Sequence, residues 1–140
     1  MNRAMAKPTP ELLRKVGLFS VLEDKDLTSL ADEFNERRFG RGETIALEGA
    51  GGLMFFVVDS GEAAVEVHGE EVATLGPGDS FGEIALIDRR PRTATVTAKT
   101  DLVTYGLPVF VFRPFVEARP EVAWKLLEEM ADRLETAEAR

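Results

Sequence analysis

Between Phe39 and Leu107 the chain is punctuated by glycine, at positions 40, 42, 49, 51, 52, 61, 69, 76, 78, 82 and 106. The stretches between them do not alternate with long helices, which argues against a parallel α/β sheet. Within "AAVEV", Ala63, Val65 and Val67 share one face while Ala64 and Glu66 share the other. In "TATVTAKTDLVTYGL", Ala94, Val96 and Ala98 stand against Thr95 and Thr97 in the same way. Period-two patterning with turn residues this closely spaced predicts short antiparallel strands forming a β-barrel or jelly roll.

Helical patterns flank this core, so the expected class is mainly β with flanking α-helices. Upstream, "ELLRKVGLFSVLEDKDLTSLADEF" spaces Leu12, Leu13, Val16, Leu27, Leu30, Ala31 and Phe34 as helices do, with a break at Gly17 to Ser20. Downstream, Pro114 is expected to interrupt "VFVFRPFVEARP", and a last helix is expected to begin after Pro120. In that helix Ala123, Leu127, Met130, Leu134 and Ala137 recur at steps of four and three. Such a seam fits either the protein's own barrel or a second copy, giving a homodimer through the C-terminal helix. Two heptads are too few for a coiled coil, so packing on its own barrel is the expectation. The predicted organisation is one domain: a loose segment 1–10, a helical lead-in 11–38, a barrel 39–107 and C-terminal helices 108–140.

Composition removes several kinds of chemistry. The chain has no cysteine, which excludes disulfides, thiolate metal sites and cysteine nucleophiles. A single histidine, His68, excludes multi-histidine metal sites, and no EF-hand pattern appears. His68 falls in "HGEE" and reads as a solvated hairpin-turn residue, so neither a catalytic triad nor a metal is expected. The formal net charge of −8 repels polyanions, so no nucleic-acid partner is expected. The basic start "MNRAMAKPTP" leads into no apolar signal core, and no apolar run reaches the roughly 20 residues of a membrane span. A cytoplasmic protein without membrane contact is the expectation.

One segment resists a purely structural reading. "GDSFGEIALIDRRPRTATV" places Glu83 and Arg92 among Phe81, Ile84, Leu86, Ala94 and Val96. Burying charge is unfavourable unless something pairs with it. Gly76, Gly78 and Gly82 do not fit a dinucleotide fingerprint, and no long helix follows. "EIALI" is long enough for one helical turn, whose exposed backbone N–H groups attract an anion. Strand alternation points Arg92 to the side of Ala94 and Val96, and a guanidinium binds phosphate through two parallel bonds. Glu83 beside a phosphate needs a neutral donor, and a ribose hydroxyl is one. Spacing alone leaves this reading level with the alternative that Glu83 and Arg92 pair with each other.

"FGEIALIDRRPRTATV" resembles the phosphate-binding cassette of the cyclic nucleotide-binding domain family. The likeness extends to "LFSVLEDKDLTSLA", "RGETIALEG", "FFVVDSGEAAVEV" and "LGPGDSFGE". The resemblance implies an eight-stranded jelly roll (a double-stranded β-helix) holding cAMP or cGMP, cAMP being the commoner ligand. The ligand-binding set it implies is Phe81, Gly82, Glu83, Ile84, Ala85, Arg92, Thr93 and Ala94. Arg92 would bind the cyclic phosphate and Glu83 the ribose 2′-hydroxyl. Gly82, Ile84 or Ala85 would offer backbone N–H groups. Thr93 would contact the phosphate and is able to bond a syn guanine. The last helix would act as a lid, with Arg133, Leu134 and Arg140 as candidates. The expected function is that of a non-enzymatic regulatory sensor without a cofactor, acting on an unidentified effector protein or domain. A degenerate relative that keeps the barrel for protein interaction is the alternative.

Overall fold

"FFVV" of residues 55–58 is buried at all four positions. Neighbouring side chains of a strand point to opposite faces, so this strand must lie between two layers. The computed structural model describes residues 6–46, 54–82, 86 and 94–138. Along the described chain run α1 (Pro10–Arg14), a 3-10 turn (Gly17–Phe19) and α2 (Asp24–Ala31). The strands are β1 (Asn35–Phe39), β2 (Thr44–Ala46), β3 (Met54–Ser60), β4 (Ala63–Val67), β5 (Glu70–Leu75), β6 (Ser80–Phe81), β7 (Thr95–Ala98) and β8 (Leu102–Pro108). Helices α3 (Val109–Glu117) and α4 (Pro120–Glu138) follow.

The strands form two antiparallel sheets, one in the order β1-β8-β3-β6 and the other β2-β7-β4-β5. This is the expected jelly roll. Val58, Ala63, Val96, Ala98 and Leu102 pack between the sheets, joined by Phe39, Val65, Leu75 and Phe81. The alternation read at Ala63 and Val65, and at Val96 and Ala98, therefore faces the barrel interior. The outer face of the first sheet carries Phe55, Val57, Tyr105 and Leu107 into a second core. There they meet Leu13, Phe19, Leu27 and Phe34 from the N-terminal part, and Phe112, Phe115, Val122 and Leu126 from α3 and α4. β3 is buried on both sides because one face lines the barrel and the other supports the helices.

The β4–β5 hairpin turns on His68 and Gly69, with φ of 53° and 83°. Both positive values fit the two-residue turn that matches strand twist, and His68 is exposed there, as its sequence context predicts.

Within the segment 1–10 expected to be loose, the described residues 7–9 are tied to the rest of the domain. Thr9 caps α1 by accepting a bond from the Leu12 N–H at 3.1 Å, and Pro8 is buried. Lys7 Nζ donates to the carbonyls of Asp32 and Phe34, at 3.0 and 2.7 Å, serving acceptors left open after α2. The helical lead-in also ends earlier than expected, because β1 takes Asn35–Phe39 and pairs with β8. "NERRF" hides its strand character because it lies at a sheet edge, where polar side chains are favoured.

Pro114 does not interrupt α3, which continues to Glu117. The proline is exposed, and the carbonyl it leaves without an intrahelical donor belongs to Phe110, also an exposed residue. On α4, Val122 and Leu126 are the buried residues, whereas Leu127, Met130 and Leu134 are 58%, 40% and 62% exposed. The seam therefore does not pack on the barrel. The helix docks through the neighbouring Val122–Leu126 stripe, which repeats too briefly to stand out in the sequence.

Candidate functional site

The site begins where β6 leaves the first sheet. Phe81 pairs with Phe56 of β3, and the two rings stack with centroids 5.1 Å apart and planes inclined by 27°. Phe56 in turn meets Phe39 edge-on at 5.9 Å. This aromatic row lines the barrel interior. The turn before β6 is fixed to β3: the Gly78 N–H donates to the Val58 carbonyl and the Val58 N–H to the Asp79 carbonyl, each at 2.8 Å. The Asp79 carboxylate closes the turn by accepting from the Gly76 N–H at 2.8 Å.

Gly82 follows Phe81 with φ of 87°, a conformation that side chains strain. The chain can therefore turn out of β6 at this point only with a residue lacking Cβ, or at a strain of about 1–2 kcal/mol. Leu86, four residues later, is 6% exposed and belongs to the outer core with α3 and α4, not to the barrel interior. The segment thus starts on the barrel's aromatic row and is anchored by Leu86 in the helical layer.

At its other end, Ala94 is half-buried at a bend before β7. β7 belongs to the second sheet, with Thr95 opposite Glu66 and Val96 opposite Val65. Residues 82–94 consequently connect an edge strand of one sheet to an inner strand of the other. Glu83, Ile84, Ala85, Arg92 and Thr93 lie outside the described residues, as does Arg140. The alternation read for this stretch holds at Val96 and Ala98, both within β7.

Of the remaining lid candidates, Arg133 donates through Nε to Glu129 at 3.1 Å and rests against Gly17. Leu134 points into solvent. Clefts of about 470 and 510 Å³ run along α4, lined by Glu129, Asp132 and Arg133 and by Lys125, Glu128 and Glu129 respectively. Their carboxylates make them poor hosts for a phosphate. Sequence reasoning missed Phe39 and Phe56 as neighbours of the site. Alternation puts Phe56 on the same face as Val58, but only strand pairing brings it against Phe81.

A family model for the cyclic nucleotide-binding domain matches residues 36–119, which spans both ends of this connection. The chain belongs to the cyclic nucleotide-binding domain family. This cyclic nucleotide-binding domain is similar to the N-terminal domain of a transcriptional regulator from Streptomyces coelicolor A3(2), with 35% identity and a TM-score of 0.84. That match covers 90% of this chain and 94% of the other. The regulatory domain of Toxoplasma gondii PKA, crystallised with cAMP, is 34% identical over 76% of this chain and 42% of its own, with a TM-score of 0.70. The Thermus thermophilus catabolite activator protein is 29% identical over 88% of this chain and 60% of its own, with a TM-score of 0.71. The domain thus spans nearly all of the first of these chains and about half the length of the other two.

Proposed function

We propose that this domain is a cyclic-nucleotide sensor that binds cAMP in preference to cGMP and signals by repositioning α3 and α4. The observation that carries the reading is the span of the 82–94 segment. One end leaves the aromatic row of the barrel at Phe81, and Leu86 sits in the core shared with α3 and α4. A ligand that draws this segment inward pulls on the packing beneath both helices. Ligand shifts such an equilibrium only by its preference for one state, and a hundredfold preference contributes about 2.7 kcal/mol.

In this reading Arg92 holds the cyclic phosphate, Glu83 the ribose 2′-hydroxyl, and Gly82, Ile84 and Ala85 contribute backbone N–H groups. Thr93 adds a phosphate contact and Ala94 closes the pocket next to β7. Arg133, Leu134 and Arg140 form the lid when α4 moves over the base. The cAMP preference draws support from the cAMP-bound Toxoplasma gondii domain, which shares 34% identity.

The output is binding, not catalysis, and its receiver is an effector protein or domain. The net charge of −8 weighs against direct contact of this domain with nucleic acid. No helix among the described residues is long and apolar enough to cross a membrane. The exposed seam of Leu127, Met130 and Leu134 supports a homodimer through α4. The same seam favours the second reading, in which the barrel is a protein-interaction module without a ligand.

Calorimetric titration of the nucleotide-free protein with cAMP and cGMP, using Arg92→Ala as control, separates the two. Saturable binding that weakens by about a hundredfold in Arg92→Ala, as expected when strong ionic hydrogen bonds worth about 3 kcal/mol are lost, supports the sensor. Absence of heat with both nucleotides, together with an unshifted Tm, overturns it in favour of the interaction module.

A further inference from the structure

Arg133 fills a notch that exists because residue 17 is glycine. Its guanidinium occupies the place into which a Cβ on Gly17 would project. Gly17 opens the 3-10 turn and is not among the glycines with positive φ, so space, not backbone conformation, is what a side chain here would violate. The bond from Arg133 Nε to Glu129, one helical turn earlier, aims the guanidinium at the notch. Lys125 Nζ lies 3.8 Å from the carboxylate of Glu23, which stands at the N-cap position of α2, and adds a second tie between α4 and the N-terminal part.

The link that carries this notch also touches the approach to the nucleotide segment. The stem of Lys15 covers Gly78, where a Cβ would lie 2.8 Å from Lys15 Cδ. Gly78 is bonded to β3 and stands two residues before β6. Residues 15–17 therefore bear on the turn before β6 at one end and on α4 at the other. Val16 between them is 1% exposed, so the link is fixed in the core.

We propose that the Gly17 notch is a latch: it holds α4 against the N-terminal turn in the nucleotide-free protein, and nucleotide binding lifts Arg133 out of it. The inference rests on the sensor reading above. A guanidinium seated at Gly17 is not available as a lid over the base, so the latched state is the weak-binding one. Apparent affinity falls with the fraction of molecules held in that state.

Gly17→Ala fills the notch, and its effect is compared in the wild-type and Arg133→Ala backgrounds, which isolates the contact from any role of Arg133 at the nucleotide. Two readouts are taken on the whole chain: amide hydrogen exchange of α4 without ligand, and titration with cAMP. With Arg133 present, Gly17→Ala is expected to speed exchange from Glu129 onward and to tighten cAMP binding by about three- to tenfold. Without Arg133 it is expected to change neither. Unchanged exchange, or an equal effect in both backgrounds, overturns the latch. Faster exchange with unchanged cAMP affinity overturns its coupling to nucleotide. A wild-type chain that binds neither cAMP nor cGMP overturns the sensor reading and that coupling together, while the exchange measurement still decides whether the notch restrains α4.

Discussion

The ring of Phe81 lies on the ring of Phe56, with centroids 5.1 Å apart, at the last residue of β6 before the chain turns at Gly82. β6 is only two residues long, so its ladder bonds to β3 are few and the stacked pair does much of the holding. Phe81→Ala is expected to destabilise the domain by about 2 kcal/mol, less than for a fully buried phenylalanine because Phe81 is half-buried. Phe81→Leu should recover at least half of that loss in urea unfolding. Nucleotide affinity should fall in Phe81→Ala even where the protein remains folded, because β6 sets where the 82–94 segment begins.

The roles proposed for Glu83 and Thr93 separate by ligand. Glu83→Ala should weaken cAMP by about tenfold, one ionic hydrogen bond's worth, and a 2′-deoxy analogue hardly at all. Thr93→Ala should weaken cGMP more than cAMP if its hydroxyl meets a syn guanine. Competition binding with the three nucleotides reads both, and equal losses for all three would remove these assignments.

On α4, Leu127 and Leu134 are exposed on one side of the helix, with Met130 between them. Leu127→Glu combined with Leu134→Glu should turn a dimer into a monomer in sedimentation velocity and leave the circular dichroism of the fold unchanged. A wild-type chain that sediments as a monomer at micromolar concentration would remove the homodimer.

Glu71 predicts a pH effect remote from the site. Lys99 Nζ and Thr74 Oγ1 donate to its carboxylate at 3.1 and 2.9 Å, and the Lys99 bond above all lowers its pKa below the ordinary 4.5. A depressed carboxylate stabilises the fold above its unfolded pKa and loses that contribution as pH falls through the folded value. Glu71→Gln should therefore have a slightly lower Tm than wild type at pH 7, and the gap should close as the pH falls below 4.5. The pair is exposed, so added salt should narrow the gap as well.

How much of this was legible beforehand differs by element. Val96 and Ala98 could be assigned to the barrel interior because a period of two is a local property of the chain. "NERRF" could not be read as a strand, since β1 gains its place by pairing with β8, sixty or more residues away. The seam of α4 was visible, but which side of the helix would be covered was not. That depends on Val122 and Leu126 meeting Phe112 and Phe115 of α3 within the shared core.

By itself, the sequence determined the class of fold, through glycine spacing and alternation, and the likeness to a cyclic nucleotide-binding domain, through a contiguous run of residues from Phe81 to Val96. Both are written in neighbouring positions, where side-chain direction follows directly from backbone geometry. The tertiary structure alone decided that Phe56 stacks on Phe81, that Leu86 belongs to the helical core, and that Arg133 rests on Gly17. Those contacts join residues far apart in the chain, and they are set by how the sheets and helices fill a shared volume, which no local pattern encodes.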